Sequence, residues 1–115
     1  MLEDQKIVDA IREVASSAPE YVYKSPSGPS NFLGLYFDYG GNPSCLIGHA
    51  LAKCGLTEDD VTEGSAALDV LGVKGIDEDV ALAATVAQDV QDGGGTWGYA
   101  LEAFNEALKE HGYEG

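Results

Sequence analysis

The chain has 115 residues, enough for one domain rather than two. A hydrophobic share of 44% suits a packed core, while 20 acidic residues against 6 Lys and Arg leave a net charge of −14. A surface of that sign repels phosphate, which disfavours direct contact with nucleic acid or an anionic membrane.

Residues 2–18 carry a helical period. Ile7, Ile11, Val14 and Ala18 share one stripe with Val8 and Ala15 at its margin, and Asp9, Arg12, Glu13 and Ser16 lie opposite. Pro19 ends this helix, because proline lacks the amide that the next turn would use. The period then changes. Tyr21-Val22-Tyr23 suits a pleated surface, and Leu33, Leu35, Phe37 and Tyr39 alternate with Gly34, Tyr36 and Asp38. With a Pro- and Gly-containing loop between them, the two runs predict a β-hairpin whose Tyr36 and Asp38 point outward.

Asn42-Pro43 predicts the cap and first position of a helix over residues 43–54, ended by Gly55 in the left-handed region. Leu46, Ile47, Ala50, Leu51 and Cys54 form one face, while Cys45, Gly48, His49 and Ala52 on the other are mostly small. So little polar surface places this helix at the centre, packed on both flanks. Thr57 caps a short acidic helix, residues 65–71 form another, Asp77 caps a longer one to about residue 91, and Thr96 caps the last. The long helix shows a wide apolar arc that includes Val80, Leu82, Val86 and Val90, and the last carries Trp97, Leu101, Phe104 and Leu108 on one stripe. The expected architecture is therefore mainly α with one β-hairpin (α+β), a single domain over residues 1–115 with four to five helices around the helix at 43–54.

No apolar run approaches the length of about 18 residues that a membrane span needs, and residues 1–6 lack the basic start and apolar core of a signal peptide. A cytoplasmic location follows as the expectation. Cys45 and Cys54 are expected as thiols, since one helix at about 1.5 Å rise per residue holds them some ~13 Å apart. No zinc-ligand spacing is present, so neither a metal nor another cofactor is expected.

Three strings follow one another: Pro19-Glu20-Tyr21-Val22-Tyr23, then Pro43 to Leu51 reading PSCLIGHAL, then Gln91 to Ala100 reading QDGGGTWGYA. In that order they resemble an uncharacterised family of small proteins of actinobacteria and their bacteriophages, with the pattern PxxVY, PSCxxGxAL and QDxGxxWGxA. The chain departs from that pattern where other members carry a cysteine in the second strand, and in an extra glycine among residues 93–95. The resemblance implies no assigned activity. It does imply a phage-encoded accessory protein of a bacterial cytoplasm.

Two constellations bear on chemistry. Cys45 and His49 are one helical turn apart near a helix start, where unpaired amides favour a thiolate and a neighbouring imidazole can serve as base. The same two residues also suit a core thiol and a hydrogen-bonded edge histidine. His49, His111 and Asp38 have no metal-site spacing.

The second is acidic. Residues 57–92 hold Glu58, Asp59, Asp60, Glu63, Asp69, Asp77, Glu78, Asp79, Asp89 and Asp92 against Lys74 alone, a local charge of −9. Glu58, Asp59, Asp60, Glu63, Asp77, Glu78 and Asp79 are candidates for docking a basic protein, for mimicking the charge array of DNA, or simply for favouring helix starts and solubility. Six tyrosines, four of them (Tyr21, Tyr23, Tyr36, Tyr39) in the hairpin region, fit a core rim or an exposed edge that pairs with a second copy as a homodimer. The expected function is a small acidic interaction protein without catalytic activity. The alternatives are an enzyme using Cys45 and His49, and a small-ligand sponge.

Overall fold

The computed structural model describes residues 2–24, 36–38, 40–63 and 65–113. Among them are five α-helices, α1 (Asp4–Ser17), α2 (Leu46–Lys53), α3 (Ala67–Gly72), α4 (Glu78–Asp92) and α5 (Trp97–Glu110), with a 3-10 turn at Glu58–Asp60.

The expected hairpin is absent among the described residues. Among the described residues no strand or sheet forms, and only two isolated antiparallel bridges occur, Val22 with Thr96 and Phe37 with Pro43. Leu33, Leu35 and Tyr39 lie outside the described residues. Among the described residues the fold is all-helical, and the alternation of residues 33–39 misled because it rests on local pattern alone. Tyr36 and Phe37 are consecutive and both buried, which a strand with one wet face does not allow. They belong to a tight loop instead. Ser44 donates to the Tyr36 carbonyl at 2.9 Å and Asp38 to the Asn42 carbonyl at 2.8 Å. The Asp38 carboxylate accepts from the amides of Gly40 and Asn42 at 2.9 and 3.0 Å, a side-chain-closed turn.

That loop also displaces the start of α2. Cys45, not Asn42, is the N-cap, and its sulfur accepts from the Gly48 amide at 3.4 Å. The other predicted caps stand where the residue pattern puts them. Thr57 and Asp60 form a reciprocal capping box, Asp77 accepts from the Asp79 amide, Thr96 accepts from the Tyr99 amide, and Gly55 closes α2 with a φ of +87°.

Packing places α2 between α1 on one flank and the Tyr36–Asp38 segment with α4 on the other. Cys45, Leu46, Ile47, Ala50 and Leu51 are fully buried, although Ala52 is only partly covered. The hub is nevertheless α4, which packs on α2, α3 and α5. Its alanines Ala81, Ala83, Ala84 and Ala87 are fully buried, so neighbouring backbones approach closely there. The rotation of α4 differs from the expected arc. Val86 is 40% exposed, whereas Gln88 and Gln91 are buried.

Candidate functional sites

Three stretches of the chain, residues 19–23, 43–51 and 91–100, meet around Trp97. The chain after α1 runs across the start of α5, so that Gly98 donates to the Pro19 carbonyl at 2.8 Å and Trp97 to the Tyr21 carbonyl at 2.9 Å. With Tyr99 donating to the Thr96 hydroxyl at 3.1 Å, the first three amides of α5 all have partners. Tyr21 and His49 stand edge-on to the Trp97 ring, with centroids 4.7 and 5.4 Å away. The Tyr23 and Ser44 hydroxyls are 2.8 Å apart.

Gln91 ties this cluster to α2. Its Oε1 accepts from the Leu46 amide at 2.7 Å and from the Trp97 indole at 3.0 Å. Its Nε2 donates to Asp92 at 2.9 Å. One turn earlier, Gln88 Oε1 accepts from the Ala67 amide at the start of α3 at 2.9 Å, and Gln88 Nε2 donates to the Tyr36 hydroxyl at 2.8 Å. Tyr36 in turn donates to the Ser65 carbonyl at 2.5 Å. Two buried glutamines of α4 thus cap two other helices. Sequence reasoning missed both. The available signal was position: Gln88 and Gln91 fall four residues after Ala84 and Ala87, on a stripe that is otherwise apolar.

Cys45 and His49 sit in different surroundings. Cys45 is fully buried, and burial pushes its thiol up to about 12 against the opposing pull of the Gly48 amide. The expected thiolate at a helix start fails because desolvation outweighs the field of the amides. His49 is half-buried against Trp97, and burial lowers its pKa while the Ser44 backbone works the other way. The unfolded chain therefore binds a proton on His49 before the folded one does. Stability from this group is complete above the ordinary value of about 6.5 and falls as pH drops through it, levelling below the folded pKa. Urea melts from pH 7.5 to pH 5 are expected to show this loss relative to His49→Gln, and identical pH profiles would refute the assignment.

Asp38, His49 and His111 do not form a metal-ligating group. Asp38 is engaged in its turn, and His111 lies 3.6 Å from Asp79. No group of three metal-ligating side chains comes together among the described residues.

The acidic candidates divide into two groups. Glu63 clamps the Tyr36 and Phe37 amides with its two oxygens at 2.9 and 3.1 Å. Asp60 holds the Thr57 amide at 2.8 Å, Asp77 caps α4, and Asp79 faces His111. By contrast Glu58, Asp59 and Glu78 are exposed, as are Asp69 and Asp89, with no hydrogen bond or ion pair to their carboxylates among the described residues. Tyr21 and Tyr99 are exposed at 45% and 61%, Tyr23 and Tyr36 are buried, and Tyr39 lies outside the described residues. With no hairpin, the edge proposed for a homodimer is absent among the described residues.

Among the described residues no helix is long and apolar enough to cross a membrane. Comparison with protein-family models, with curated proteins and with solved structures yields no match to this chain.

Proposed function

We propose that this protein is a small acidic interaction module that docks a basic surface of another protein through the segment 57–92. It performs no catalysis of its own, and the family resemblance makes it a phage-encoded accessory protein of a bacterial cytoplasm. The observation that supports this reading is the second group of acids above. Hydrogen bonds or an ion pair engage Asp60, Glu63, Asp77 and Asp79, whereas Glu58, Asp59, Asp69, Glu78 and Asp89 stay on the surface without one, the first four in first turns of helices and Asp89 late in α4. Carboxylates so placed speed encounter with a positively charged partner and select its orientation.

The test uses immobilised protein and a bacterial lysate at low and high salt, with the triple variant Glu58→Gln, Asp59→Asn, Glu78→Gln alongside. The expected result is a discrete partner that is lost both at high salt and with the triple variant. No salt-sensitive partner, or equal retention by both proteins, would overturn the proposal. These three side chains lie outside every hydrogen bond that holds the core, so the variant should lose only the favourable placement of acids at two helix starts, about 1–2 kcal/mol in all.

A further inference from the structure

The geometry points to a binding cleft for a small amphipathic anion, a carboxylate with an apolar tail, between the start of α1, the end of α2 and the end of α3. The cleft measures about 650 Å³, within the ~300–1,000 Å³ range of small-molecule sites. Leu2, Leu56 and Val73 supply its apolar wall. Val73 is 84% exposed, the most exposed of the large hydrophobic residues among those described, and a tail lying in the cleft would cover it.

The polar side of the cleft is asymmetric. Lys6 and Lys74, two of only 6 basic residues in the chain, both line it. Neither is in an ion pair among the described residues, unlike Lys53 nearby, which pairs with Glu13 at 3.1 Å. Lys74 donates to the Asp60 carbonyl, which anchors its ammonium at the wall with two further N–H groups to offer. Of the two lining acids, Asp60 accepts from the Thr57 amide and hydroxyl through Oδ2. Glu3 and Asp60 balance Lys6 and Lys74 in charge, and the two ammoniums are the charged N–H donors that line the cleft. A carboxylate head therefore finds two donors here. The repulsion of the −14 chain is long-range and is screened beyond about 8–10 Å at physiological ionic strength, whereas the two lysines act at contact.

Cys54 lines the same cleft and is partly exposed, while Cys45 is fully buried. That contrast supplies an occupancy readout with an internal reference. Alkylation of the native protein by iodoacetamide, followed by intact mass, is measured with octanoate or octylammonium present. Octanoate is expected to slow the labelling of Cys54 several-fold, octylammonium to leave it unchanged, and Cys45 to stay unlabelled in both. The double variant Lys6→Gln, Lys74→Gln is expected to lose the protection. An unchanged Cys54 rate, equal protection by the cation, or protection retained in the double variant would each overturn the proposal. Labelling of Cys45 under octanoate would also overturn it, because the amphiphile would then be unfolding the chain. Should the double variant fail to fold, the contrast between the two amphiphiles on the parent protein decides alone. Success or failure here is independent of the acidic docking face, since none of Glu58, Asp59 and Glu78 lines the cleft.

Discussion

Replacing Gly48 with alanine is expected to cost at least about 3 kcal/mol, the upper end of overpacking penalties. An added Cβ would stand 1.8 Å from the Tyr36 carbonyl oxygen and 2.7 Å from its carbon. The obstacle is backbone, and it cannot swing aside. Ser44 donates to that same carbonyl, and the Glu63 carboxylate holds the amides of Tyr36 and Phe37. The substitution would by itself favour the helix by about 1 kcal/mol, so the two effects oppose each other and the clash decides the sign. Urea denaturation monitored by far-UV circular dichroism measures the outcome. A variant as stable as the parent would mean that the Tyr36–Asp38 segment does not lie on α2.

Gln91→Met is the second large effect, expected at about 3 kcal/mol. It keeps the length of the side chain but leaves the Leu46 amide and the Trp97 indole N–H without their acceptor, and each orphaned buried donor costs roughly 1–3 kcal/mol. Both donors are in buried residues, with Leu46 fully covered and Trp97 only 5% exposed. Against a total stability of about 5–15 kcal/mol for a domain of this kind, this is a large fraction. The check is the urea midpoint together with Trp97 emission. A loss below about 1 kcal/mol would show that the two N–H groups find other partners. The effect should reach α2 and α5 together, because one oxygen serves both helices.

These two positions show where residue pattern and fold part company. Gly48 reads in the sequence as one small residue on the reverse face of a helix, and its small size does mean close packing. What it packs against is a carbonyl twelve residues earlier in the chain, and no local pattern names that atom. Gln91 lies 45 residues from the amide it caps. Glu63 is another case. It reads as one more surface acid, yet it reaches two amides 27 and 26 residues away. A cap within three residues can be read from the chain, and a cap supplied across the fold cannot.

The thiol of Cys45 depends on the fold in a related way. Its place at a helix start is a local fact and is correct. Whether the thiol ionises depends on the water around it, and α2 is covered from both flanks. Desolvation scales with burial, which the whole fold sets.

By itself the sequence determined the helices at 4–17, 67–72, 78–92 and 97–110 to within a few residues, the caps at Thr57, Asp77 and Thr96, and the turn at Gly55. Those features depend on contacts between residues at most one turn apart, and the periodicity records them directly. Only the tertiary structure decided that residues 36–38 and 40–44 form no strand, that α4 turns Gln88 and Gln91 inward and Val86 outward, and which carboxylates the fold engages. Those outcomes depend on which distant polar group supplies each missing hydrogen bond, and a buried amide accepts whichever partner the fold brings to it.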